Sequence, residues 1–117
     1  KVNIDGDINF RVIKFCHYMD GEYYTLGEES DGTVRLLELY DIIKNKNEKI
    51  FVVDELDRSL HPNLTFNFVK KYLSIENKSQ LIVSTHEDRI LDLNIMRRDE
   101  IWFVEKNDIG ESKIYSL

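Results

Sequence analysis

Three short stretches concentrate the side chains able to do chemistry. The first, "IFVVDELDRSLHP" at residues 50–62, drives four apolar residues straight into Asp54 and Glu55. Two like charges side by side at a strand tip cost energy unless something uses them. The first carboxylate can hold a magnesium ion, usually through water, because magnesium prefers hard oxygen ligands and sheds its waters reluctantly. The second can orient a water that attacks a terminal phosphate. The same letters also read as a strand followed by an acidic turn or helix cap, and on this stretch alone both readings stand. The second stretch, "LIVSTHE", sets His86 beside the hydroxyls of Ser84 and Thr85 at a strand end. There it can donate a hydrogen bond to a phosphate, or it is a loop histidine bonded to backbone. The third, "GEESDGT", offers Ser30, Gly32 and Thr33 at a helix start, where a hydroxyl and free N–H groups can meet an anion. Its plainer reading is a capping turn with Ser30 or Asp31 as N-cap.

These stretches need elements to position them. "IFVVD" and "QLIVSTH" are short continuous apolar runs, as expected of strands buried on both faces of a parallel sheet. Between them, "HPNLTFNFVKKYLS" places Pro62 just inside a helix start, where its missing N–H costs nothing. Leu64, Phe68, Val69 and Tyr72 supply the expected inner face of that helix. The middle of the chain therefore reads β–α–β, and ligands of such sheets sit beyond the carboxyl ends of the strands. Both the Asp54–Glu55 pair and the Ser84-Thr85-His86 cluster fall at such ends.

Upstream, "INFRVIKF" and "GEYYTLGE" bracket the turn-prone "MDGE" and read as antiparallel strands near residues 8–16 and 22–27. "VRLLELYDIIKN" has Val34, Leu37, Leu39, Tyr40 and Ile43 near helical spacing, which predicts a helix over about 32–45. "EDRILDLN" is a short helix or turn, and the last 18 residues form a hairpin around "NDIG".

The 117 residues suit one domain with a single core. No run approaches the roughly 20 apolar residues that cross a bilayer, and the N-terminus lacks a signal-peptide pattern. One cysteine, Cys16, excludes an intrachain disulfide and a cysteine-based zinc site. A cytoplasmic setting follows as the expectation. The net charge of −6 is interspersed rather than blocked, so a basic nucleic-acid surface is not expected here.

Taken together and in order, "ESDGT", "IFVVDELDRSLHP" and "LIVSTHE" resemble the second half of an ABC-type ATPase head. More narrowly, they resemble the AAA-family ATP-binding proteins grouped with chromosome-maintenance (SMC-type), OLD-type and abortive-infection ATPases. The resemblance covers roughly residues 8–117. It implies a P-loop NTPase-like half-domain of α/β class, with parallel core strands, an N-terminal antiparallel pair and a C-terminal hairpin, all one domain over 1–117. It implies that Ser30, Asp31, Gly32 and Thr33 belong to the signature motif, which contacts ATP held by the opposite subunit. Residues 50–54 then stand as the Walker B strand, with Asp54 on the magnesium side and Glu55 as the catalytic glutamate. Residues 58–61, including Ser59 and His61, fall on the D-loop that crosses the dimer interface, and His86 falls on the switch histidine. ATP and Mg2+ are the implied ligands. A second ATPase head, most simply a homodimer partner, and an effector nuclease or toxin are the implied partners.

Three departures from the family pattern matter. The signature reads Ser-Asp-Gly-Thr rather than the transporter-type Ser-Gly-Gly-Gln, and the D-loop ends in His61 rather than aspartate. Both look like the SMC, OLD and abortive-infection side of the superfamily. No "GxxxxGK[ST]" is present: the glycines at 6, 21, 27, 32 and 110 form no phosphate-cradling loop. The resemblance places that loop upstream, and the chain opens at Lys1, so the expectation is the C-terminal half of a split or truncated ATPase that binds ATP poorly by itself. Such a half-sheet should expose an apolar face and self-associate. Two alternatives remain: a non-catalytic dimerisation or regulatory module derived from such an ATPase, and a metal-dependent nuclease fragment with Asp54, Glu55 and Asp57 as ligands. Cys16 and His17 read as packing and surface residues, Tyr23 and Tyr24 as strand residues, and Trp102 and Phe103 as packing of the closing strand. Arg97 and Arg98 read as partners of nearby carboxylates.

Overall fold

A computed structural model of the chain describes all residues except 1, 5–7, 11, 18–20 and 77, with backbone only at 2–4 and 8–10. It is a mixed α/β structure. Among the described residues are four two-stranded sheets, three antiparallel and one parallel.

The parallel pair positions the site. β5 (Ile50–Val53) and β6 (Gln80–Val83) run side by side in register, Phe51 opposite Leu81 and Val53 opposite Val83. α2 (Pro62–Ser74) crosses between them. Its start is built as the sequence predicts: Pro62 occupies the first turn, and the His61 imidazole Nδ1 accepts the Asn63 N–H at 3.3 Å. α1 (Asp31–Lys44) precedes β5. Ser30 caps it by accepting the Thr33 N–H at 3.2 Å, so Asp31 is the first helical residue rather than the cap.

One core joins these elements. Leu39 and Ile42 from α1, Phe68, Val69 and Tyr72 from α2, and Leu56 and Ile90 from the loops form a buried cluster. Phe51, Val53, Leu81 and Val83 pack against it from the sheet. Tyr72 also turns its hydroxyl onto the Ser79 carbonyl at 2.8 Å, which ties the end of α2 to the approach to β6.

The strands are buried on one face only, not on both. Ile50, Val52 and Ile82 point away from the helices and are 67%, 74% and 49% exposed. An uninterrupted apolar run matches a strand covered on two sides, but here both helices of the core pack on the same side. The result is the expected exposed apolar face. Two helix registers also differ from the sequence reading. Thr65 is fully buried while Leu64 is 42% exposed, because the inner stripe of α2 runs 65, 68, 69, 72. On α1 the stripe runs through Leu39 and Ile42, which leaves Tyr40 half exposed.

At the N-terminus, the region expected as one strand divides. β1 (Val2–Ile4) pairs antiparallel with β2 (Ile8–Phe10), and β3 (Lys14–Cys16) pairs with β4 (Tyr23–Thr25). Met19 and Asp20 of the "MDGE" turn lie outside the described residues; Gly21, the next residue, has φ +68°. At the other end β7 (Trp102–Lys106) and β8 (Ser112–Ser116) form the closing hairpin. Its turn uses Gly110 at φ +87°, with the Gly110 N–H on the Asn107 carbonyl at 3.0 Å. Trp102 does not pack the strand: it is 62% exposed, with its indole N–H on the Asp99 carbonyl at 3.1 Å. Phe103 does pack, against Tyr115. Arg97 pairs with Asp99 and Glu100 as its position implies. No helix among the described residues is long and apolar enough to cross a membrane.

Candidate active site

The site is built where β5 and β6 end. Leu56 is the anchor: fully buried in the core, it forces the chain to turn sharply between the exposed Glu55 and the half-buried Asp57. That turn puts Glu55 at φ +48°, the left-handed region that non-glycine residues avoid. A second such residue, Ser59 at φ +61°, follows in the same loop. Two residues in sparsely populated backbone conformations, each costing about 1–3 kcal/mol, persist only where the surroundings hold them.

Those surroundings are a set of hydrogen bonds between the two strand-end loops. The Ser84 N–H meets the Val53 carbonyl at 3.0 Å and continues the ladder. The Ser84 hydroxyl then accepts the Glu55 N–H at 2.9 Å and donates to the Asp54 carboxylate. The Leu56 N–H lands on the Ser84 carbonyl at 2.9 Å. One residue further on, the Thr85 hydroxyl donates to Asp57 Oδ1 at 2.7 Å, and the His86 N–H reaches the same oxygen at 3.3 Å. Burial pushes the Asp57 carboxyl up, but hydrogen bonds from Thr85, its own backbone and His86, with the His86 charge, outweigh it. Its pKa is held below the usual aspartate value.

α1 reaches the same place from below. Arg35 donates to the backbone carbonyls of Asp54 at 3.2 Å and Glu55 at 3.0 Å, and pairs with Glu38. Its Nε is buried with no hydrogen-bond partner. At the head of the helix, Gly32 lies so close to the loop after β5 that a Cβ added there would sit 3.0 Å from the Ser59 carbonyl oxygen. A cavity of about 310 Å³ opens here, lined by Asp31, Val34, Arg35, Glu38, Arg58 and Ser59. The larger hollow, about 690 Å³, lies along the C-terminal hairpin and holds none of the expected site residues.

The structure thus brings Asp54, Glu55 and His86 to one end of the β–α–β unit and sets Gly32 beside Ser59. Ser30 and Thr33 bond each other at the cap, and His61 caps α2. It does not assemble a carboxylate cluster: among the described residues no three His, Cys, Asp or Glu side chains are grouped to hold a metal ion. Of the three carboxylates named for the nuclease alternative, Asp57 takes bonds from Thr85 and His86 on its Oδ1. Sequence reasoning missed Arg35 and did not foresee the bonds that Asp57 takes from Thr85 and His86. Arg35 did carry a signal, because it shares a helical face with Leu39 and Ile42, where a charge needs partners.

The family model described as "AAA domain, putative AbiEii toxin, Type IV TA system" matches residues 2–92. No curated protein matches the chain. AAA domains are a nucleotide-binding, ATPase-type class, and residues 2–92 take in the turn at 29–33, both strand ends and His86. The chain belongs to this AAA-domain family.

Proposed function

We propose that this chain is the C-terminal part of a P-loop NTPase-like, ABC-type head that binds and hydrolyses ATP when complete. The observation that carries the reading is the Ser84 bridge, which holds Asp54 and the strained Glu55 backbone beside the loop bearing His86.

Asp54 suits the metal side. Its Oδ1 is already oriented by the Ser84 hydroxyl, and one carboxylate with a neighbouring hydroxyl is the hard-oxygen donor set that magnesium takes alongside retained waters. When bound, the ion would neutralise charge on the phosphates. Glu55 holds the attacking water and receives its proton; among the described residues its carboxylate has no hydrogen-bond partner, so it is free for that task. His86 donates to the γ-phosphate oxygens as charge builds on them. Ser30, Asp31, Gly32 and Thr33 present their signature turn to nucleotide on a second head, and Ser59 and His61 lie on the segment facing that head. The phosphate-cradling loop belongs to an upstream half of the same protein, which also covers the apolar face of Ile50, Val52 and Ile82. Hydrolysis separates the two heads, and that motion drives an effector nuclease or toxin in phage defence or a DNA transaction.

The test is magnesium-dependent ATP hydrolysis by the full-length protein beside Glu55→Gln. Turnover by wild type, with a variant that binds ATP but stalls as a dimer, supports the reading. A wild type that neither binds nor hydrolyses ATP sinks it. That outcome favours the second reading, a non-catalytic dimerisation module, for which the exposed apolar face speaks.

A further inference from the structure

We propose that Asp57 is a positioning residue that fixes the place of His86 relative to the Asp54–Glu55 tip. The inference rests on the hydrolysis reading above and deepens it.

The argument starts from what holds His86. Among the described residues its imidazole has no hydrogen-bond partner, so the position of the ring is inherited from its backbone. That backbone follows Ser84, which is tied to Val53 and Leu56, and is itself held by one atom of the loop after β5. Asp57 Oδ1 receives the His86 N–H at 3.3 Å and the Thr85 hydroxyl at 2.7 Å. The direction of the second bond is settled by Thr85 itself. Its oxygen accepts the Glu87 N–H at 3.0 Å, and its single proton goes to the carboxylate. Residues 85, 86 and 87 are therefore tied to Asp57 as a unit.

Asp57 in turn cannot drift. Leu56 beside it is fully buried, and the Asp57 carbonyl accepts the Leu60 N–H at 3.0 Å. The rigid side of the contact is thus the loop after β5, and the guided side is the loop after β6. An aspartate is the right length for this: it bridges two loops while leaving Asp54 and Glu55 to face solvent. The arrangement makes the distance between the water-orienting carboxylate and the histidine a property of Asp57.

The experiment uses the full-length protein with Asp57→Ala, Asp57→Asn, His86→Ala and the Asp57→Ala/His86→Ala pair. Asparagine keeps an acceptor oxygen for both donors, so it should stay within roughly 5-fold of wild-type kcat, whereas alanine should lose on the order of 10- to 100-fold with KM for ATP little changed. In the His86→Ala background, Asp57→Ala should cost less than about 3-fold, because the group it positions is gone. An equal loss in both backgrounds overturns the proposal, since it would mark a purely structural role. A second readout needs no turnover: hydrogen exchange of the His86 amide in nucleotide-free protein should quicken at least about 10-fold in Asp57→Ala and far less in Asp57→Asn. If wild type does not hydrolyse ATP, the hydrolysis reading fails by itself. The exchange result then decides the placement: faster exchange upholds it, and unchanged exchange overturns it.

Discussion

Leu56 is the residue on which the turn after β5 depends mechanically, and Leu56→Ala measures that dependence. The side chain is fully buried in the cluster that also holds Leu39, Ile42, Phe68, Val69, Tyr72 and Ile90. Its removal deletes the burial of three carbons and leaves a void. The void cannot close easily, because the Leu56 N–H remains on the Ser84 carbonyl at 2.9 Å and holds the backbone in place. Buried leucine-to-alanine changes cost about 2–5 kcal/mol, and restricted collapse puts this one near 3 kcal/mol. Against a typical stability of about 5–15 kcal/mol that is a large share. It corresponds to a fall in Tm of roughly 10–15 °C for a chain of this size. Urea unfolding followed by far-UV circular dichroism should show a lower midpoint at unchanged slope. Leu64→Ala, at a position 42% exposed, is the control and should cost under about 1 kcal/mol. A Leu56→Ala cost below about 1 kcal/mol, or one equal to that of Leu64→Ala, would refute the claim that the turn is anchored in the core.

The remaining predictions concern the same loop. Ser59→Gly removes the left-handed penalty at φ +61°, which exceeds the extra chain entropy that glycine loses on folding. Its urea midpoint should rise by the equivalent of roughly 0.5 kcal/mol, and a fall would show that the Ser59 side chain has a role of its own. The depressed Asp57 carboxyl makes the protein acid-sensitive in a defined direction. The native state binds this proton less readily than the unfolded chain, so the stabilisation is complete above the ordinary aspartate pKa of about 3.9 and is lost as pH falls through the lower folded value. Asp57→Asn should therefore show a smaller drop in urea midpoint between pH 6 and pH 3 than wild type, and equal drops would refute the link.

Much of this architecture was legible because its signals are local. Pro62 after a polar turn, Ser30 before a helical pattern and Gly110 in "NDIG" each specify a backbone conformation within a few residues, and each stands where expected. The misses share a different character. Which side of β5 is covered depends on helices outside the strand itself, so an apolar run could not tell one covered face from two. The choice of Thr65 over Leu64 depends on the rotation of α2 about its own axis, which packing sets and spacing leaves open by one position. The pairing of Val2–Ile4 with Ile8–Phe10 did have a local signal, the "DG" of "VNIDGDINF", but the longer apolar stretch beyond it drew the strand further downstream.

The site residues divide in the same way, and the division bears on why two carboxylates end a strand. Asp54 and Glu55 stand out in the sequence because they look costly, whereas the groups that make them tolerable do not. Ser84 gives Asp54 a hydrogen bond, and Arg35 brings positive charge to the backbone carbonyls of both residues. Nothing among the described residues does the same for the Glu55 carboxylate, and its backbone is strained as well. A fold optimised for stability would place glycine at φ +48° and would keep a second charge away from Asp54. The glutamate found there worsens both terms, and the hydrogen bonds it makes among the described residues act on its backbone while leaving its carboxylate exposed. An arrangement that spends stability to hold one free carboxylate in a fixed place is what a water-orienting group requires.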